Sequence, residues 1–185
     1  MTVEKGIALL DDIARQMPHE TRRLTRLVLL GGASAGMTTI GGIAAMRAGF
    51  VDEVHPAMAG LDVLWHPATS EGLGTAVIDA MALRVPPVAF RVGGLPELIV
   101  DQECGVLVQA GDVRRFADAT SLLVRDRDLR TRMGDAGPAQ AAKFSVAQMA
   151  EGTASIYERV LGGVRKHASA RQQRRRDKYV SEGET

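Results

Sequence analysis

The chain has 185 residues, 45% of them apolar and 24% charged, with 23 basic residues against 22 acidic ones. That length suits one domain with a core of its own, and the balance is that of an ordinary globular protein, not of a disordered or strongly basic chain. A single cysteine, Cys104, excludes an internal disulfide, no apolar run reaches the ~18 residues of a membrane span, and the four histidines (His19, His55, His66, His167) show no ligand spacing, so the expectation is a cytoplasmic protein without a metal site.

Residues 4–17 carry apolar side chains at Ile7, Leu10, Ile13, Ala14 and Met17, the period of a helix, and Pro18 ends it. Leu27–Leu30 is a continuous apolar run closed by Gly31-Gly32 and reads as a parallel strand covered on both faces. From Ala33 to Gly49 the signal weakens: Gly36, Gly41 and Gly42 interrupt any helix, and the next strand is barely visible near Met46. Leu61–Trp65 is the next strand. Pro67 closes it, a small polar turn follows, and Ser70-Glu71-Gly72-Leu73-Gly74 opens a helix continued by Val77, Ile78, Met81 and Leu83 until Pro86. Val88–Phe90 repeats the pattern and ends in Gly93-Gly94, after which Leu95-Pro96-Glu97 opens another helix. The segment is therefore βαβα with both tight turns on one side of an open parallel sheet, the side on which such sheets bind ligands.

After a turn at residues 101–104 comes a strand, Val106–Val108, and then successive helices at 112–125, 127–134 and 136–143, with Asp112 as an N-cap and Gly134 as a C-terminal stop. Ser145 caps a last amphipathic helix that runs to Leu161. Two regions result: a domain over 1–162, with 16 basic residues against 19 acidic, and a tail over 163–185, with seven against three and almost no apolar residues. Such a tail reads as disordered, or as a contact for anionic membrane at about 1 kcal/mol per basic residue. No aromatic residues are interleaved among its basic ones to suggest nucleic acid.

The turn at 70–74 is suited to an anion. Placed in the first turn of a helix, the amides of Gly72, Leu73 and Gly74 have no intrahelical partner and sit at the positive end of the dipole, and glycine lets a phosphate approach the backbone. A pyrophosphate would fit. Glu71, before the helix, and Asp79, about two turns in, fall on a similar face, where carboxylates commonly hold sugar hydroxyls. Each residue has a plainer reading beside this one. Glu71 suits a helix start by charge alone, Asp79 suits a solvated helix face, His66 suits a hydrogen-bonded strand end, and Arg91 suits a solvated loop.

The run from Ser70 to Leu98, S-E-G-L-G-T-A-V-x-D-A-M-A with V-G-G-x-P-E-L after it, resembles the donor-binding, C-terminal half of family 4 (group 1) glycosyltransferases of GT-B architecture. Glu4-Lys5-Gly6, Gly105–Asp112, Leu129–Gly134, Ala136-Gly137 and Phe144-Ser145 extend the resemblance in the same order, over about residues 1–162. It implies an α/β fold, a Rossmann-like parallel sheet with helices on both faces. The family's first, central strand would be missing, leaving an empty slot between Leu27–Leu30 and Val63–His66. Phe50–Val54 and Ala57–Gly60 resemble the family's short helix, whereas Ala33–Gly49 is several residues short of its usual helix and strand.

The resemblance further implies binding of a nucleotide-diphosphate sugar and transfer of a hexose to a glycan or lipid-linked acceptor, as in polysaccharide biosynthesis, with retention and with neither metal nor other cofactor. Lys5 would neutralise the leaving pyrophosphate, and Glu71 would orient the sugar. The amides of Gly72, Leu73 and Gly74 would hold the diphosphate. Asp79 would hold the ribose in place of the family's glutamate, and Gly93 and Gly94 would keep their loop close to the donor. In the family an acceptor-binding half precedes this region, so a separate N-terminal chain is an expected partner. The alternative is a catalytically incomplete nucleotide-sugar-binding module or remnant subunit. The residues do not distinguish the sugar, the base or the acceptor.

Overall fold

The computed structural model describes residues 5–161, and close contacts divide the chain into two units, Met1–Phe144 and Ser145–Thr185. In the first unit a 3-10 turn (Ile7–Leu9) runs into α1 (Leu10–Gln16), which buries Leu10, Ile13 and Ala14, the apolar side of its helical period. Met17 is extended, and Pro18 then stands at the N-cap of a second short helix, α2 (His19–Leu24). One proline thus ends a helix and begins another, since it cannot donate into the first and its φ suits the entry to the second.

The covered parallel strand expected at Leu27–Leu30 is not found. Those residues begin β1 (Leu27–Ile40), which pairs antiparallel with β2 (Ile43–Gly49) in a separate two-stranded sheet. Gly41 and Gly42, with φ of 53° and 85°, form the two-residue connection beside the Ile40–Ile43 pair. Positive φ at both positions gives the turn whose twist suits a hairpin. A parallel crossover needs a dozen or more residues, so the glycines that interrupt a helix here close a hairpin instead. Leu27–Leu30 are only half-buried, whereas β2 buries Ile43 and Ala45 completely. The turn is tied down by the Gly41 amide, which donates to Asp11 Oδ1 at 2.6 Å, and by Arg22, which donates to the Gly41 carbonyl at 3.1 Å. The expected slot between Leu27–Leu30 and the strand ending at His66 does not form, because the two belong to different sheets.

The chain continues through α3 (Val54–Ala59), β3 (Leu64–His66), α4 (Thr75–Ala82), β4 (Pro87–Phe90), α5 (Leu95–Leu98), β5 (Val106–Val108), α6 (Val113–Arg125) and α7 (Arg127–Ala141). The last three strands form a parallel sheet in the order β3-β4-β5. Their side chains alternate between two cores. Trp65, Val88, Phe90, Val106 and Val108 join Ile13 and Ala14 of α1 and Phe116 and Leu123 of α6 on one face. Ala89 and Leu107 join Val77 and Met81 of α4 and Leu95 and Leu98 of α5 on the other. All of β4 is buried, as a central strand covered on both faces should be. This is the α/β architecture expected, with helices on both faces of a parallel sheet and, among the described residues, three strands in it.

Two helices expected at 127–134 and 136–143 are a single helix, α7, followed by a 3-10 turn at Ala142–Phe144. Gly134 is not a stop. A Cβ there would lie 2.4 Å from the Arg84 carbonyl, and one at Gly137 2.5 Å from that of Met81, so the two glycines let α7 lie directly on the end of α4. That contact overrides their poor helix propensity of about 1 kcal/mol each. Asp112 caps α6 as expected, accepting from the Arg115 amide at 2.9 Å, and Asp126 caps α7 in the same way from Leu129 at 2.9 Å. In the second unit residues 146–161 are helical, and Ser145 Oγ accepts from the Gln148 amide at 3.3 Å, the cap expected there. Glu4 and the basic tail at 163–185 lie outside the described residues.

Phe116, fully buried, stands edge-on to Trp65 at 5.9 Å and to Phe90 at 5.2 Å, and so joins α6 to two strands. Phe116→Ala is predicted to destabilise the chain by about 3–5 kcal/mol. The check is the midpoint of cooperative urea unfolding, and an unchanged midpoint would contradict this account of the core.

Candidate functional site

The site is assembled at the C-terminal ends of β3 and β4 from three stretches of chain that touch backbone to backbone. A Cβ on Gly6 (φ +70°) would lie 1.8 Å from the Pro67 carbonyl oxygen, and one on Gly93 (φ +51°) 1.6 Å from the Glu71 carbonyl oxygen. One on Gly94 would lie 2.5 Å from the Gly72 carbonyl, which accepts the Gly94 amide at 3.0 Å. Only glycine permits these approaches, and at Gly6 and Gly93 only glycine readily adopts the backbone. They bring Lys5, the loop after β3 and the loop after β4 into one surface.

At its centre is Glu71, whose side chain is 12% exposed. Its Oε2 accepts from Lys5 Nζ at 2.9 Å and lies 3.0 Å from His66 Nε2, while Oε1 accepts from the Gly72 amide at 3.1 Å. The Lys5 hydrogen bond, followed by its charge and by His66, holds the Glu71 carboxyl below the usual carboxylate range against the opposing effect of partial burial. Burial pushes the His66 imidazole down, and the Glu71 carboxylate opposes that shift without reversing it. The pair is therefore an ionised carboxylate and a neutral ring, and since a carboxylate only accepts, the proton sits on Nε2.

The structure corrects the placement of the amides. Helix α4 begins at Thr75 with Gly74 as its N-cap in the left-handed region (φ 79°), so Gly72, Leu73 and Gly74 form the loop before the helix, not its first turn. The Gly72 amide is engaged by the Glu71 side chain. No acceptor for the Leu73, Gly74, Thr75 and Ala76 amides lies among the described residues, and they form the positive end of α4, with Leu73 and Thr75 exposed and Gly74 buried. Asp79 lies in α4, 40% exposed, with His55 Nε2 3.7 Å from its Oδ2, and does not join the Glu71 cluster. Arg91, also exposed, reaches Asp101 at 3.4 Å. Among the described residues no group of three or more His, Cys, Asp or Glu could hold a metal ion, and no helix is long and apolar enough to cross a membrane.

The sequence model of the family described as "Glycosyl transferases group 1" matches residues 1–126. The chain belongs to the group 1 glycosyltransferase family. D-inositol 3-phosphate glycosyltransferase of Corynebacterium diphtheriae is 35% identical over 163 residues, and that of Segniliparus rotundus 34% over 171. These alignments cover 80% and 85% of this chain but only 38% and 37% of the relatives, so this group 1 chain spans well under half their length. HepE of Anabaena, crystallised with UDP-glucose, superposes with a TM-score of 0.72 at 23% identity over 85% of this chain and 46% of its own. At that identity the likeness shows the fold alone, half of a GT-B glycosyltransferase.

Sequence reasoning brought Lys5 and Glu71 to this group 1 site but passed over His66, which it took for a satisfied strand-end histidine. Satisfied it is, and by Glu71 itself. The available signal was position: a histidine closing β3 five residues before a loop carboxylate.

Because the folded chain holds the Glu71 pKa down, its ionised form stabilises the fold above the ordinary carboxylate value of about 4.3. That contribution is lost as acid titrates through the lowered folded value. Lys5→Met is predicted to raise the Glu71 midpoint in a carboxyl NMR titration; no change would mean that the ion pair does not form in solution. Gly93→Ala, which drives a methyl into the Glu71 carbonyl, is predicted to destabilise by about 1–3 kcal/mol and to shift the Glu71 resonances, and a silent substitution would refute the close approach.

Proposed function

We propose that this group 1 chain binds the donor of a glycosyl transfer, a nucleotide-diphosphate sugar, at the loop after β3. The observation that carries the reading is an exposed cation bound to one carboxylate, with the helix-start amides that follow that carboxylate in the same loop lacking acceptors among the described residues: Lys5, Glu71 and the Leu73–Ala76 amides. Such a row at a helix N-terminus suits a diphosphate, and Lys5 adds the charge that a leaving group of this kind needs. Glu71 then takes the sugar hydroxyls, Asp79 the ribose, and Gly93 and Gly94 hold the neighbouring loop against Glu71. The metal role is assigned to Lys5 and the amides, with no cofactor.

In the transfer, the bond from the sugar C1 to the β-phosphate oxygen breaks with its electrons passing to the diphosphate. The acceptor oxygen bonds to C1 on the same face, and its proton leaves on the diphosphate, which retains the anomeric configuration. HepE, crystallised with UDP-glucose, is the neighbour that supports a hexosyl donor. The acceptor, a glycan or lipid-linked sugar, would be presented by an N-terminal, acceptor-binding half. We place this chemistry in the cytoplasm. For a lipid-linked acceptor it would lie at the inner face of the membrane, with the basic tail at 163–185 supplying the contact.

Calorimetry with UDP, GDP and ADP, with and without EDTA, tests the reading. Submillimolar binding of at least one that survives EDTA is expected, and no heat from any of them would end it. Glu71→Ala is predicted to weaken a nucleotide sugar about tenfold more than the bare diphosphate, because in this reading only the sugar's hydroxyls hydrogen-bond to the carboxylate; equal losses would remove that role.

A further inference from the structure

His66 is buried, titratable and unused by the donor chemistry above. Its ring is 10% exposed at the end of β3, where His66 pairs with Ala89 of β4, so it has no room to leave Glu71. Lys5 differs in kind: 53% exposed on a flexible stem, it shares the same Glu71 Oε2 with His66 at 2.9 Å against 3.0 Å. A diphosphate arriving on the Leu73–Ala76 amides presents Lys5 with more negative charge than one carboxylate does, and Lys5 can swing to it. Glu71 would then keep only the Gly72 amide and His66 as donors. A carboxylate as covered as this one, losing its strongest partner, would take up a proton or turn away, and a protonated or misdirected Glu71 could not accept from sugar hydroxyls.

We propose that His66 is a positioning residue, whose Nε2–H holds the Glu71 carboxylate ionised and aimed at the sugar when Lys5 turns to the diphosphate. This rests on the donor-site reading of the preceding subsection. The charged groups that act on the ring are Glu71, from the loop after β3, and Lys5, from the stretch before α1, and they act in opposite directions. Departure of Lys5 thus strengthens the bond that remains, because it removes the charge that disfavours a positive ring while leaving the carboxylate that favours one. The site accordingly passes Glu71 from one donor to the other without leaving it unpaired.

The test is a carboxyl NMR titration of Glu71 in the full chain, with and without saturating UDP, for the parent, His66→Gln and His66→Leu. With UDP bound, the Glu71 midpoint should stay in the low range in the parent and in His66→Gln, whose side-chain amide still donates, and rise by about one pH unit, a tenfold change in ionisation, in His66→Leu. Equal midpoints in UDP-bound parent and His66→Leu would overturn the proposal while leaving the donor site standing. If UDP does not bind, GDP or ADP takes its place; if none of the three binds, the donor reading fails, and Lys5→Met compared with Lys5→Met/His66→Leu, without ligand, reads the hold directly. A higher midpoint in the double variant supports His66 as the second holder of Glu71, and equal midpoints overturn it. Should His66→Leu not fold, the same comparison is made with His66→Phe, and rescue by glutamine separates a hydrogen-bonding role from mere filling of the strand end.

Discussion

Backbone lies against backbone where the loops of the site converge, and the rest of the arrangement depends on that contact. With any other residue at Gly6 or Gly93 the start of the chain and the loop after β4 would stand off from the loop after β3 by at least the width of a methyl group. Lys5 would then not reach Glu71, and Gly94 would lose its bond to the Gly72 carbonyl. Three segments far apart in sequence are held as one surface by the absence of side chains.

What that surface presents is a carboxylate supplied by donors from three places. Lys5 comes from the stretch before α1, His66 from the end of β3, and the Gly72 amide from the loop itself. Burial favours neutral forms of both Glu71 and His66, and the two resolve the conflict in opposite ways, the acid staying charged because Lys5 is present and the ring staying neutral because it is enclosed. The charges of Lys5 and Glu71 thus neutralise each other. In the donor site proposed above, a diphosphate would compete with Glu71 for Lys5, which would tie recognition of the phosphates to the freeing of the group proposed to meet the sugar.

The hairpin of β1 and β2 shows how much of the fold can change without touching this surface. The strand faintly legible near Met46 is β2, but it is reached by no crossover: the chain folds back on itself through Gly41-Gly42 and buries Ile43 and Ala45, with Ile43 joining α1 in the core. The parallel sheet then needs only β3, β4 and β5 to support both site loops, because each loop is fixed by its own strand end and its own following helix.

The sequence by itself located three strands, read at Leu61–Trp65, Val88–Phe90 and Val106–Val108 and found at Leu64–His66, Pro87–Phe90 and Val106–Val108, the helices that follow them, the caps at Asp112 and Ser145, and, through the family pattern, Lys5 and Glu71 as site residues, though not their ion pair. These are local signals: apolar runs closed by proline or glycine, and polar caps at helix starts, each decided within a few residues. Tertiary structure decided the rest. Glycine carries no label for its use, so Gly134 ended a helix on paper while in the fold it lets α7 lie on α4, and Gly41-Gly42 broke a helix on paper while in the fold they turn a hairpin. His66 carried no motif either. Its partner is five residues away around a loop whose course is set by contact with Gly93, and no periodicity in the chain reports a contact between two loops.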